Sequence, residues 1–212
     1  MQKILNPGRE QWQELTQRPL TEQVKLNDIV NTVFAEIKRD GDKALKKYSL
    51  LFDKANLQSF AVSPQEINEA AEKVPAELKV AIQQAQSNIE KFHAAKAEAG
   101  TEVETSKGIK CWRESRGIES VGIYIPGGTA PLFSTVLMLG VPAKLAGCKN
   151  IILCTPPAAD GSVNPVILYT AGLVGISSIF RIGGIQAIAA FTFGTESIPK
   201  VDKIFGPGNQ YV

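Results

Sequence analysis

The sequence predicts an α/β protein organised around a parallel sheet, and three observations carry that reading. From Glu119 onward, strand, helix and strand alternate at a spacing of roughly thirty residues, the period of right-handed βαβ units. Three strands run directly into glycine turns: Val121-Gly122-Ile123-Tyr124-Ile125 into Pro126-Gly127-Gly128, Phe180-Arg181-Ile182 into Gly183-Gly184-Ile185-Gln186, and Lys203-Ile204-Phe205 into Gly206-Pro207-Gly208-Asn209. Ile151-Ile152-Leu153-Cys154 is a continuous apolar run rather than an alternation, which suits a strand covered on both faces. Parallel strands point one way, so the glycine turns collect on one edge, the edge at which open α/β sheets bind ligands.

Residues 1–20 read as a short amphipathic arm carrying Trp12 and Leu15 and ended by Arg18-Pro19, the kind of segment that packs on the body of the protein or on a partner subunit. With Thr21 as N-cap, Leu26, Ile29, Val30, Val33, Phe34 and Ile37 fall at helical spacing until Asp40-Gly41. A shorter helix surrounds Ala44, Leu45 and Tyr48, and Ser59-Phe60-Ala61-Val62 reads as a weak strand. Ser63-Pro64-Gln65-Glu66 combines an N-cap serine, a first-turn proline and a glutamate at the third position, a capping-box signature. After Val74-Pro75 a long helix places Leu78, Ile82, Ala85, Ile89 and Phe92 on one stripe, and Gly100 closes it. Thr101 to Thr105 and Ile109 to Glu114 form a hairpin across Ser106-Lys107-Gly108.

The strands of the second half are expected at 119–125, 150–155, 177–182 and 201–205, giving a four-stranded parallel sheet. Helices are expected at about 133–146, 165–174 and 185–193, closed by Gly147, Gly175 and Gly194, with Pro142 kinking or splitting the first. The organisation is thus an arm at 1–20, a helix-rich α/β portion at 21–118 without a complete sheet of its own, and the parallel-sheet unit at 119–212.

At 212 residues and 44% hydrophobic content the chain can bury a substantial core. A formal net charge of +2 without a Lys/Arg block argues against nucleic acid or an anionic membrane surface as partner. Only nine of the 44 charged residues, five basic and four acidic, lie after Ile118, so the second part is the drier structure. Cys111, Cys148 and Cys154 are odd in number and lack metal-ligand spacing, and they read as buried, reduced thiols. The single histidine, His93, lies off the apolar stripe of its helix and reads as a surface residue. No leader-like or 18-residue apolar segment stands out, so the expected location is cytoplasmic.

The glycine turns lack the Gly-x-Gly-x-x-Gly pattern, and the second strand ends in Thr155-Pro156-Pro157 instead of an acidic residue that could grip a ribose. Tyr124, Gln186 and Asn209 each lie at a strand end or helix start on the presumed binding edge. A tyrosine can stack on or bond a ring, and carboxamides both donate and accept, so the three suit a neutral, hydroxyl-rich or amide-bearing ligand. Core packing for Tyr124 and turn formation for Asn209 are the competing readings. Arg181 is either a phosphate contact or a plain surface charge.

The strings Val-Gly-Ile-Tyr-Ile-Pro-Gly-Gly, Ala-Pro-Leu-Phe-Ser-Thr-Val-Leu-Met-Leu, Gly-Gly-Ile-Gln-Ala-Ile-Ala-Ala and Phe-Gly-Thr-Glu-Ser-Ile-Pro-Lys-Val-Asp-Lys-Ile-Phe-Gly-Pro-Gly-Asn resemble the L-histidinol dehydrogenases of histidine biosynthesis. Weaker likeness in Gly-Asp-Lys-Ala-Leu and Phe-Asp-Lys extends it over essentially the whole chain. The resemblance implies a zinc-dependent homodimer that oxidises L-histidinol through an aldehyde to L-histidine, reducing two NAD molecules in turn. It implies an incomplete Rossmann-like parallel sheet over about 119–212 and a helix-rich portion whose sheet is completed by sequence outside this chain. By motif, Tyr124, Gln186 and Asn209 carry over as NAD-contacting positions. Members of the family are about twice as long. Their zinc ligands, Glu-His acid/base pair and most histidinol contacts lie in the half to which nothing here corresponds, so no catalytic or metal residue is assigned in this chain. The expectation is the NAD side of the enzyme, inactive alone; the alternative is a truncated, non-catalytic nucleotide-binding or assembly module.

Overall fold

The computed structural model describes residues 4–16, 23–95, 100–128 and 131–207. Thr21, the expected N-cap, and Asn209 lie outside the described residues. The elements are α1 (Arg9–Thr16), α2 (Gln23–Asp40), α3 (Asp42–Tyr48), a π-helical turn (Ser49–Asp53), α4 (Pro64–Lys73), α5 (Ala76–Ala94), β1 (Val103–Ser106), β2 (Ile109–Cys111), β3 (Ser120–Tyr124), α6 (Phe133–Leu145), β4 (Asn150–Thr155), α7 (Pro165–Val174), β5 (Ser178–Arg181), α8 (Gly184–Phe193) and β6 (Lys203–Phe205).

The four expected strands form one parallel sheet in the order β5-β4-β3-β6. The chain winds outward from β3 through β4 to β5, and α8 then carries it back to β6 on the other side of β3. The winding direction therefore reverses between β3 and β6, the kind of point at which open α/β sheets form a ligand crevice. Alternating strand residues feed two cores. Ile123, Ile125, Leu153 and Ile179 pack with α6 and α7 and with Val62, Ala70 and Ile82, whereas Tyr124, Ile152, Cys154 and Phe180 pack with α8 and with Val33, Ile37, Leu45 and Tyr48. Each large side chain so buried contributes about 1.5–3 kcal/mol. Helices of the first hundred residues thus cover both faces of a sheet built from the last hundred: α2 and α3 lie on α8, α4 on α7, and α5 on α6.

The weak strand at 59–62 exists as a single antiparallel bridge, Ala61 with Phe180, held by Val62 N–H to Ile179 O at 2.9 Å and Arg181 N–H to Phe60 O at 2.8 Å. The capping box is present: Ser63 Oγ accepts from Glu66 N–H at 3.2 Å and Ser63 N–H donates to Glu66 Oε2 at 2.8 Å. The hairpin β1-β2 forms in antiparallel register with every residue exposed.

Three expectations are corrected. Pro142 does not split α6, which runs through it to Leu145; the missing N–H is tolerated inside a helix whose neighbours Gly140 and Val141 are buried in the core. Of the cysteines only Cys154, in the central strand β4, is buried; Cys148 is half-buried and Cys111 lies exposed on the hairpin. Phe92 is 58% exposed, because the buried stripe of α5 centres on Ile82 and the last turn runs past the core, where Phe92 meets the His93 ring edge-on at 5.3 Å. Among the described residues no helix is long and apolar enough to cross a membrane.

Candidate functional site

The C-terminal edge of the sheet gathers the glycine turns. At the end of β3, Tyr124 is buried at 3% exposure, and its hydroxyl accepts from the Gly184 N–H at 2.9 Å. The phenol therefore meets the uncapped start of α8, where a backbone donor has no helical acceptor. Gly184 takes a left-handed φ of 57°, and a Cβ there would stand 3.1 Å from Gln186 Oε1. The turn after β6 closes on the same tyrosine: a Cβ on Gly206 would lie 2.5 Å from the Tyr124 carbonyl oxygen. Only glycine permits that approach.

Gln186, in the first turn of α8, is 1% exposed. Its Nε2 donates to Asp53 Oδ2 at 3.0 Å, while its Oε1 is buried without a hydrogen-bond partner among the described residues. Buried polar atoms are normally satisfied, so an orphaned carboxamide oxygen marks a place where an acceptor is held in reserve. Beside it lies a cavity of about 280 Å³ lined by Leu26, Ile29, Phe52, Asp53, Gly184, Ile185 and Gln186. Its walls are apolar apart from the carboxylate, the carboxamide and the α8 backbone, the pattern of small-molecule pockets.

Asp53 is supplied by the π-helical turn, closed by Lys54 in a left-handed conformation at φ 58°. Single π turns recur at functional sites because the extra residue re-aims a side chain. Burial pushes the Asp53 carboxyl up from 3.8 to about 6, with the Gln186 hydrogen bond pulling the other way. Burial likewise raises Tyr124, against the Gly184 hydrogen bond, and it holds the neighbouring Cys154 thiol well above its ordinary value. At neutral pH the cluster is one carboxylate among neutral groups.

The structure thus brings Tyr124 and Gln186 to the two sides of Gly184, and Asn209 lies outside the described residues. Arg181 is not a plain surface charge. Its Nη2 reaches both Glu66 oxygens at 2.7 Å and Ala61 O at 3.1 Å, and its Nη1 reaches Gly161 O at 3.2 Å. The guanidinium ties the end of β5 to the start of α4. Burial opposes ionisation of Glu66, but the bonds from Ser63 and Arg181 outweigh it and hold the carboxyl below its ordinary value. Asp53 and Phe52 carry no sequence signal beyond the Phe-Asp-Lys likeness, because no local propensity announces a π turn. Among the described residues no three His, Cys, Asp or Glu side chains converge as a metal site, so these residues do not fit a zinc centre.

Residues 16–212 match the family model for histidinol dehydrogenase. Histidinol dehydrogenase of Bacteroides fragilis (strain ATCC 25285) is 55% identical over 212 residues, which cover all of this chain and 50% of that protein. That of Mannheimia succiniciproducens is 49% identical over 204 residues, 96% of this chain and 47% of its own. The crystal structure of histidinol dehydrogenase from Elizabethkingia anophelis superposes with a TM-score of 0.93 at 60% identity, covering 100% of this chain and 49% of that one. The chain, which spans about half the length of these relatives, belongs to the histidinol dehydrogenase family.

Proposed function

We infer that the chain forms the NAD side of a zinc-dependent histidinol dehydrogenase, a homodimer that oxidises L-histidinol to L-histidine. The observation that carries this reading is the fully buried Gln186, whose Oε1 has no partner among the described residues and which lines an apolar cavity at the C-terminal edge of the sheet. Gln186 Oε1 would accept from an amide or hydroxyl of the cofactor. Tyr124, whose oxygen already accepts from Gly184, keeps its own proton to donate. By its place in the Gly-Pro-Gly-Asn motif, Asn209 would be the third polar contact. The half-exposed Phe52 and the apolar side chains of α2 exclude water from the bound ring system. Bound there, NAD supplies the hydride acceptor. No step through zinc is assigned to residues of this chain, and the ligands for it, with the acid/base pair, belong to the other half of the full-length proteins.

In a full-length histidinol dehydrogenase carrying this sequence, Gln186→Ala is expected to raise the Michaelis constant for NAD about fivefold, the loss of one neutral hydrogen bond, with little effect on that for histidinol. A variant impaired only toward histidinol overturns the assignment. The 212-residue chain alone is expected to reduce no NAD with histidinol and zinc; turnover by pure chain of that mass would refute this.

A further inference from the structure

We propose that Asp53 is a positioning residue: its carboxylate fixes the rotation of the Gln186 carboxamide so that Oε1, and not Nε2, is held as an acceptor for an O–H or N–H donor of the bound ligand. The inference rests on the reading of Gln186 as a cofactor contact and adds the residue that decides which end of that amide the cofactor meets.

A carboxamide in a neutral pocket has two rotations of nearly equal energy, one offering an acceptor and the other two donors. An ionised carboxylate only accepts, so it selects one of them. Asp53 Oδ2 lies 3.0 Å from Gln186 Nε2, so the nitrogen must face it and the oxygen must face away. The oxygen is then left buried beside Gly184 with no donor among the described residues. The neighbouring Gly184 N–H does not make this choice, since it is already committed to the Tyr124 hydroxyl. Leaving the oxygen unsatisfied is unfavourable in the empty cavity and becomes favourable when a ligand donor completes it. Asp53 itself borders the cavity, but its role is exerted through Gln186.

The consequence is a specificity rule: the ligand group at this point is a hydroxyl or an amine, and a carbonyl or ether in its place faces a like dipole. Asp53→Asn tests the inference. Asparagine keeps the shape but can present its own NH2 to Gln186, which lets the carboxamide turn round. The experiment measures the dissociation constant of NAD by titration in a full-length enzyme carrying this sequence, for wild type, Asp53→Asn, Gln186→Ala and the double variant. Asp53→Asn is expected to weaken NAD binding about fivefold. In the Gln186→Ala background the same change is expected to have less than about a twofold effect, because a residue that acts through another has nothing left to position. Asp53→Ala, which frees the amide to rotate, is expected to shift affinity in the same direction, and the unfolding midpoint of each variant reports any loss of fold.

The outcomes separate. If Gln186→Ala weakens binding and Asp53→Asn does not, the positioning role is overturned while the cofactor reading stands. Effects of the two substitutions that multiply also overturn it, since they make Asp53 an independent contact. Wild-type affinity in Gln186→Ala overturns the cofactor reading, and the positioning role with it.

Discussion

Replacing Asp53 by Asn is expected to stabilise the folded chain, and only where the carboxyl is charged. Burial is the dominant cause that lifts Asp53 from 3.8 to about 6. The folded value lies above the unfolded one, so the stability associated with the protonated carboxyl is fully present below pH 3.8 and is lost as the pH rises through about 6. A gap of about two pH units corresponds to about 3 kcal/mol at roughly 1.36 kcal/mol per unit. The group is half-buried at a cavity wall, and solvent screening reduces the figure to about 1–2 kcal/mol. Asn has no charge to desolvate and keeps a hydrogen bond to Gln186, so the variant recovers this energy at pH 8. At pH 4 most of the difference disappears, because the folded carboxyl of the wild type is then almost fully protonated and the pH lies only just above the unfolded value of 3.8. Urea unfolding of wild type and variant at the two pH values measures it, and at pH 8 the melting temperature is expected to rise by about 2–6 °C. An equal difference at pH 4 and pH 8, or a variant less stable at pH 8, refutes the reasoning. A variant that is more stable and binds NAD less well is the expected signature of a strained, functional carboxylate.

Glu66→Ala leaves the Arg181 guanidinium, 15% exposed at its side chain and with Nε already unpartnered, without its counter-charge, and it also opens the capping box. It is expected to cost about 2–4 kcal/mol, and an unchanged urea midpoint counts against the clamp. Gly184→Ala places a methyl against Gln186 Oε1 at φ 57°. It is expected to cost about 1–2 kcal/mol and to raise the Michaelis constant for NAD several-fold in steady-state kinetics; wild-type kinetics would exclude a role for that turn. No residue of α1 is buried, and Trp12 and Leu15 are 51% and 43% exposed. Removing residues 1–18 is therefore expected to weaken dimerisation of the full-length protein in ultracentrifugation, and an unaltered dimer argues against docking of the arm.

The sequence alone determined the elements whose signals are local. The continuous apolar run of β4, the glycines that close α7 and α8, and the serine, proline and glutamate that start α4 act within a few residues of one another, so propensity and capping chemistry specify them wherever the chain goes. The placing of Tyr124 and Gln186 on one edge follows from the same source: once strands are parallel, their C-terminal ends share an edge. The tertiary structure alone decided what those residues touch. Asp53 reaches Gln186 across 133 residues and Arg181 reaches Glu66 across 115, and neither pairing has a sequence period or a motif. Each exists because α2 and α3 bury Val33, Ile37 and Leu45 against α8, and α4 buries Ala70 against α7, which fixes the π turn and the start of α4 over strand ends made much later in the chain. Local propensity is a property of a few neighbouring residues, whereas the direction of a buried carboxamide is set by whichever charge the packing brings beside it.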